Sequence, residues 1–228
     1  MEHKIEANPD YSILSVKVPS GEKLMVEASS MASMTSNMKM KTKLAGGFSR
    51  FLTKESVFIN EFTAGESRDG EISIAPGLNG DIQHHELTGN EKFYLTASCF
   101  LASESSVTYN TKFQGLAKGF FSGESFFLME MSGVGSLWFN YYGGIFSVDV
   151  VGEYVVDTGH IVAFTEGLDY DISHIGGYKS LFFSGEGFVC RFSGQGKVWI
   201  QTKNSMALVG WADQFRRIEK KGKGVSFD

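Results

Sequence analysis

The chain carries one short motif three times at nearly constant spacing. It reads Phe-Phe-Ser-Gly-Glu-Ser-Phe-Phe around Glu124, Phe-Phe-Ser-Gly-Glu-Gly-Phe-Val around Glu186, and, more loosely, Phe-Leu-Thr-Lys-Glu-Ser-Val-Phe around Glu55. Internal repetition at a fixed period constrains the architecture of a chain more strongly than any local pattern does. The repetition therefore predicts a structure built from three similar units that follow one another along the sequence.

Other landmarks keep the same phase as the motif. Glycines recur at Gly46, Gly115 and Gly177, and a short turn-like segment recurs ahead of each of them. We interpret the chain as a single domain of three copies, because a unit of this size cannot bury both of its faces alone. The copies and the tail that follows them span residues 11–76, 80–142, 143–202 and 203–228.

The composition favours an all-β structure. The chain has 27 Gly and 20 Phe but only 3 Pro, and apolar residues alternate with polar ones in segments such as that of Ile13, Val16 and Val18. Short alternating runs separated by glycine turns are typical of sandwiches and barrels. We therefore expect short strands in a pseudo-threefold arrangement, with the repeated motif at the tip of a hairpin in each copy.

Glycine-containing segments between the apolar runs predict the chain reversals. Two such turns are expected after the first strand of the first two copies, at Ser20-Gly21 and Gly89-Asn90, and a third at Val151-Gly152. Two more are expected after the repeated motif, at Ser132-Gly133 and around Gly194. Glycine is favoured at these places because tight turns need positive φ angles.

The tail differs from the copies and predicts a short helix. Asn204 is a suitable N-cap, and Leu208, Trp211, Phe215 and Ile218 are spaced three, four and three residues apart, which places them on one helical face. These four residues are the candidate docking surface of the chain. We expect the face to pack on the parent domain, and the alternatives are a neighbouring subunit and a membrane surface.

Charge, cysteine usage and the N-terminal residues limit the partners and the cellular location that we expect for the protein. The net charge of −5 does not favour nucleic acid as a partner. Cys99 and Cys190 lie in apolar runs at positions that do not correspond between copies, so we expect buried, reduced thiols. The start of the sequence does not look like a secretory signal, and no apolar stretch is long enough to span a bilayer, so we expect a cytoplasmic protein.

The histidines suggest a metal site only weakly. His84 and Glu86 would share one face of a strand while His85 would point to the other, so a site would need His160 or His174 to complete it. We interpret these histidines as structural. No catalytic, cofactor-binding or metal-binding residue is assigned.

Two further charged patterns have a structural interpretation that we favour. Glu55, Glu124 and Glu186 could form a carboxylate cluster, but a ring of like charges repels itself, and a polar turn residue accounts for each of them. Lys39, Lys41 and Lys43 alternate with apolar residues, which could present a basic face to a nucleic acid. Lysines on an edge strand, where they prevent further pairing, are the commoner cause of this pattern.

Three segments carry a resemblance to a known family. Residues 156–164, 176–192 and 198–204 resemble the altered-inheritance-of-mitochondria family, number twenty-four. The resemblance implies an all-β fold of the double-stranded β-helix type, grouped with the tryptophan RNA-binding attenuation protein. It also implies a connection, in fungi, with the architecture of the mitochondrial inner membrane. It implies no enzymatic activity and supplies no catalytic residues.

The expected function follows from the repeats and this resemblance. We expect a non-enzymatic, homo-oligomeric scaffold or binding module without a cofactor, which supports a membrane-associated assembly through a protein partner or at the membrane periphery. One alternative is a binder of RNA or a small ligand, by analogy with the attenuation protein. The other is a metal-dependent, cupin-like enzyme.

Overall fold

The chain folds almost entirely into antiparallel β-structure. A computed structural model describes residues 1–44, 58–114, 126–174 and 188–216. Sixteen strands and one α-helix lie within these ranges, together with short 3₁₀ turns. The all-β class and the short C-terminal helix are therefore confirmed, while the pseudo-threefold, double-stranded β-helix arrangement stays a prediction.

The first part of the chain contains short, separate strands. Alternating burial along them reflects the alternation of apolar and polar residues in the sequence. Their bounds are β1 (His3–Glu6), β2 (Ile13–Val18), β3 (Lys23–Glu27), β4 (Met31–Met34), β5 (Met38–Leu44), β6 (Phe58–Ala64) and β7 (Gly70–Ile74).

The strands become longer towards the C-terminus, and the helix comes last. The bounds in the middle of the chain are β8 (Ile82–Thr88), β9 (Phe93–Thr96), β10 (Phe100–Glu104), β11 (Val107–Gln114) and β12 (Phe126–Asn140). The final elements are β13 (Ile145–Asp157), β14 (Ile161–Thr165), β15 (Leu168–His174), β16 (Phe188–Gln201) and α1 (Ser205–Asp213).

Three antiparallel strand pairs form the arms of the hairpins that the repeated motif predicts. They are β5 with β6, β11 with β12, and β15 with β16, each paired over seven or eight residues. The connecting residues 45–57, 115–125 and 175–187 lie outside the described residues. The predicted hairpin tips are among them, as are the three motif glutamates (Glu55, Glu124, Glu186) and the three phased glycines (Gly46, Gly115, Gly177).

A short connection followed by a bulged strand occurs three times. The strands β4, β10 and β14 each follow a turn of a few residues, which in the last two cases is a 3₁₀ turn. Each of the three strands shifts register against its neighbour near its first residue, which is Met31, Phe100 or Ile161. A bulge increases local twist and bends the strand, so these three strands turn away from their hairpins in the same manner.

Two sheets result from these pairings. The smaller has the order β1-β2-β7-β4, and the larger joins twelve strands along the path β13-β16-β14-β9-β12-β10-β3-β6-β5 with three side branches. Two of these contacts join distant parts of the chain: β10 pairs with β3, and β14 pairs with β9. We call them the two joints.

The core forms across the joints. One cluster of buried side chains contains Met25, Phe93 and Val162, which come from the first, second and third copies. A second cluster brings Phe62 against Trp138, and a third brings Leu128 against Phe164. Burial of apolar surface is the main stabilising contribution to folding, so the three parts of the chain are stabilised together.

Three of the five predicted turns are wrong. The chain does reverse at Gly21 and Gly89, but β12, β13 and β16 run without interruption through Gly133, Gly152 and Gly194. The glycines do adopt positive φ angles there, as a turn would require. The strand nevertheless continues, because β13 and β16 keep one register on both sides of Gly152 and Gly194 and their backbone hydrogen bonds are not interrupted.

Replacing Gly133 with alanine should destabilise the fold strongly. Gly133 has φ +105°, and a Cβ atom there would lie 2.4 Å from the carbonyl oxygen of Ser106. We expect the Gly133→Ala substitution to lower the free energy of unfolding by at least about 2 kcal/mol in urea denaturation, because strained φ and a backbone clash add together.

Gly21→Ala is the matched control. Gly21 also has a positive φ, of +77°, but open space surrounds the position of its missing Cβ. The Gly21→Ala substitution should lower the free energy of unfolding only by the conformational strain of the positive φ angle, about 1 kcal/mol. Equal losses in the two variants would contradict the steric argument.

Candidate functional site

The predicted tail helix forms and begins at the predicted residue. Asn204 is the N-cap of α1, and its Oδ1 accepts a hydrogen bond from the backbone N–H of Met206 at 2.9 Å. The helix ends at Asp213, so Phe215 lies two residues beyond it. Ile218, the fourth residue of the candidate docking surface, lies outside the described residues.

The apolar side chains of α1 are exposed to solvent. The helix buries none of its residues, and Trp211 and Phe215 are 60% and 69% exposed. Their rings contact each other, with centroids 5.1 Å apart. Met206, Leu208 and Val209 are exposed as well. The expectation that this face packs on the parent domain is not met in the structure.

The surroundings of α1 have the opposite charge to the rest of the chain. The helical segment 205–212 carries no charged side chain. Residues 203–228 as a whole contain six basic and three acidic residues, whereas the whole chain has 21 basic and 26 acidic residues. An apolar segment is thus joined to a basic terminus on an acidic protein.

The two adjacent histidines of β8 point to opposite faces of their sheet, as the sequence predicts. His84 packs against the rings of His3 and Trp138, with centroids 4.5 and 5.5 Å away. His85 stacks on Phe93 with centroids 4.2 Å apart. Glu86 shares the face of His84, and its Oε2 lies 3.4 Å from the Nε2 of His84.

Burial lowers the pKa of both histidines and so favours their neutral form. The pKa of His84 is lowered first by burial and then by the neighbouring His3, although Glu86 acts in the opposite direction. The pKa of His85 is also lowered by burial, against the opposing effect of Glu91 and Glu86. Neutral rings packed on aromatic side chains are the expected state of structural histidines.

The described residues hold no complete set of metal ligands around these histidines. No group of three His, Cys, Asp or Glu side chains that could bind a metal ion occurs in ranges 1–44, 58–114, 126–174 and 188–216. His160, which the sequence offers as a third ligand, contacts the backbone oxygen of Gln201 through its Nδ1 at 2.8 Å. The side chain of His174 is outside the described part.

Both cysteines are buried and unpaired with each other, which confirms the prediction for them. Cys99 and Cys190 are free thiols. Burial raises the pKa of each to about 12. Thiols with such pKa values are protonated at neutral pH and react slowly.

The lysines of β5 lie on an edge strand, as predicted. β5 stands at the end of the larger sheet's strand path and pairs with β6 along its whole length. Lys39 and Lys41 are exposed on it. Charged side chains on such an edge oppose the addition of another strand.

A groove of about 310 Å³ lies on the sheet of β13, β15 and β16. Residues 153–155, 169–171 and 191–193 line it. Arg191 stands in the central strand, opposite Val155 on one side and Asp171 on the other. The groove therefore combines charged groups of both signs with apolar side chains.

A family model described as mitochondrial biogenesis AIM24 matches residues 3–203. The chain belongs to this family. An uncharacterised protein of Streptococcus pyogenes serotype M6 is 29% identical over 223 residues, which cover 92% of this chain and 89% of the relative. An X-ray crystal structure of a Streptococcus pyogenes protein superimposes with a TM-score of 0.81 at 28% identity, covering 94% of this chain and 99% of that one.

The family match covers the strands and ends just before α1. It includes both joints and the histidine pair but not the apolar helix or the basic end of the tail. The described helix lacks the length and apolar character that crossing a membrane would require, and no other helix in the described ranges has them. The grouping with the attenuation protein stays a prediction.

Sequence reasoning missed two features of these surfaces. The contact of His3 with His84 and Trp138 joins β1 to β8 and β12, and no local pattern predicts which distant strands meet. The groove depends on the side-by-side placement of β13, β15 and β16. The one sequence signal for the groove is the high apolar content of β13. The turn expected at Val151-Gly152 would have divided this strand into two.

Stability should fall when the pH drops below the normal pKa of histidine. Because folding lowers the pKa of His85, the unfolded chain binds more protons than the folded chain as the pH falls through the unfolded pKa, near 6.5. The free energy of unfolding should fall by at most about 1.4 kcal/mol per pH unit for each histidine whose pKa is lowered in this way. It can be measured by urea denaturation at pH 7.5 and 5.5.

His85→Phe should reduce this pH dependence. Phenylalanine preserves the stacking on Phe93 but cannot take up a proton. The difference between the wild-type protein and the variant isolates the contribution of His85 from that of His84, whose pKa is lowered as well. An identical loss of stability in both proteins would show that His85 is not responsible.

Proposed function

We propose that this protein is a non-enzymatic, oligomeric scaffold that attaches to the surface of a membrane-associated assembly through α1 and the basic residues around it. The observation that carries the proposal is the exposure of every apolar side chain of α1. A surface of this kind is more often an interaction site than an ordinary part of a monomer.

The helix needs a partner for physical reasons. A nine-residue helix is marginal in water by itself, and helices in proteins are stabilised mainly by packing. Burial of a large apolar side chain contributes about 1.5–3 kcal/mol. Trp211 and Phe215 are mostly exposed among the described residues, so burial of these side chains on docking would contribute much of this stabilisation.

The positive charge around α1 favours an anionic surface as its binding partner. Arg216 lies three residues after the end of the helix, and the sequence continues with further basic residues at Arg217, Lys220, Lys221 and Lys223. A basic residue near an anionic membrane contributes roughly 1 kcal/mol of attraction. Apolar side chains beside basic ones are the composition of interfacial helices.

Vesicle binding tests the attachment. Of the three tryptophans, Trp211 is 60% exposed, Trp138 is fully buried and Trp199 is partly buried against the core, so a change in tryptophan fluorescence on binding reports mainly on Trp211. We expect a blue shift and co-sedimentation with vesicles of phosphatidylserine and phosphatidylcholine, and weaker binding as salt is added. Trp211→Ser with Phe215→Ser should abolish co-sedimentation.

Val151→Ser provides the control for a general loss of apolar surface. Val151 is an exposed apolar residue of β13 that lies outside α1, and its substitution should leave vesicle binding unchanged. Equal binding by the Trp211 and Phe215 double variant would contradict the role of α1. A failure of the wild-type protein to sediment with any vesicle would contradict the attachment itself.

Light scattering tests the oligomeric part of the proposal separately. We expect a particle larger than one 25.1 kDa chain at micromolar concentration. A strictly monomeric particle would contradict the scaffold.

The groove on β13, β15 and β16 supports a second candidate, which is binding of a small ligand. Its mixture of carboxylates, a guanidinium and apolar walls suits a small zwitterionic molecule. A thermal-shift screen with amino acids and their analogues tests it. A stabilisation that disappears in Arg191→Ala would support this candidate, and one that persists would contradict it.

A further inference from the structure

The two joints between distant parts of the chain are built in the same way. At the first, Ala102 of β10 lies opposite Val26 of β3, and Ser103 lies opposite Met25. At the second, Ala163 of β14 lies opposite Leu95 of β9, and Phe164 lies opposite Tyr94. In both cases a bulged strand pairs with a strand that itself leads into a short turn.

The chain contains both halves of a third joint, but they are not paired with each other. β4 is the third strand that follows a short turn and carries a bulge, and in the described residues it pairs only with β7. The C-terminal part of β13 is the third strand that leads into such a turn, and in the same ranges it pairs only with β16. Each therefore has one backbone edge without a strand beside it.

Burial distinguishes the unpaired halves from the paired ones. Residues 100–103 of β10 and 161–164 of β14 are at most 1% exposed. The matching residues of β4 are all exposed, with Met31 at 37% and Met34 at 39%. On β13, Tyr154 is 37% exposed, although the matching Leu24 and Phe93 at the joints are buried. Val155 is 42% exposed, whereas the matching Met25 is buried and the matching Tyr94 partly buried.

The residues on these edges do not prevent pairing. β4 reads Met-Ala-Ser-Met, with no charge and no proline, and residues 154–156 of β13 are Tyr-Val-Val. The exposed edge strand β5, in contrast, carries Lys39 and Lys41. Charged residues and proline are the usual means by which proteins protect an edge. β4 lacks that protection, and so do residues 154–156 of β13, although Glu153 and Asp157 flank them.

We infer that β4 of one molecule pairs with the C-terminal part of β13 of a second copy of this chain and so makes a third joint between molecules. The registers of the two internal joints place Ser33 opposite Val156, Met34 opposite Val155 and Thr35 opposite Tyr154. The Met34–Val155 contact would correspond to Tyr94 and Phe164, whose rings stack with centroids 4.8 Å apart.

Such a contact is head-to-tail, since two different surfaces of the chain meet. A heterologous interface of this kind forms a ring when its rotation closes and a filament when it does not. The inference rests on the proposed oligomeric scaffold and specifies the surface through which it assembles. It uses a different part of the molecule from α1.

Charge substitutions at the exposed pair test the joint without disturbing the core. Met34→Lys with Val155→Lys places like charges opposite each other and should weaken assembly at least about tenfold in light scattering. Met34→Lys with Val155→Glu should restore assembly, because opposite charges then face each other. Assembly of the double-lysine variant as strong as that of the wild-type protein would overturn the inference.

Disulfide trapping tests the register. A mixture of Met34→Cys chains and Val155→Cys chains should give, on mild oxidation, a dimer that contains one chain of each kind. Cys99 and Cys190 are buried with pKa values near 12, so the wild-type protein serves as a blank. A dimer formed by Met34→Cys chains alone, or an equal yield when Glu153→Cys replaces Val155→Cys, would overturn the proposed pairing.

The two proposals fail in different ways. A monomeric wild-type protein would contradict the oligomeric scaffold and this joint together. An assembled wild-type protein whose assembly is insensitive to Met34 and Val155 would contradict the joint alone.

Discussion

Antiparallel pairing at the two joints is the interaction on which the rest of this structure depends. The strands β10 and β14 bury nearly all of their first four residues, and they do so only because β3 and β9 lie beside them. A unit of about sixty residues buries a smaller share of its surface than a large domain does and is only marginally stable alone. The joints remove this limitation by bringing Met25, Phe93 and Val162 into one cluster. Sheet and core are therefore formed by the same contacts.

By the pattern of the two joints, β4 and the C-terminal part of β13 are strands whose corresponding partner is missing among the described residues. Both carry exposed apolar residues where the corresponding strands at the joints are mostly buried. The tail adds a different exposed element, since α1 follows β16 and buries none of its residues. The exposed apolar surfaces thus lie outside the two joints.

Local chemistry in this chain was predictable where neighbouring residues decide it. Asn204 caps α1 because its side chain reaches an N–H two residues away, and His84 and His85 diverge because successive side chains in a strand alternate. The turns expected at Gly133, Gly152 and Gly194 were wrong for the opposite reason. Glycine at positive φ permits a reversal but does not require one. At Gly152 and Gly194 the uninterrupted register of β13 with β16 kept the backbone extended, whereas at Gly133 β12 continues while it passes from pairing with β11 to pairing with β8.

The sequence by itself determined the all-β class, the burial of Cys99 and Cys190, the edge position of the β5 lysines and the start of the tail helix. Each follows from composition, alternation or a contact of a few residues. Only the tertiary structure decided which distant strands meet at the joints, where a groove forms beside Arg191, and that the apolar side chains of α1 are exposed in the part of the chain that the structure describes. These outcomes depend on pairing between residues far apart in sequence, and apolar patterning shows that a face must be covered without showing what covers it.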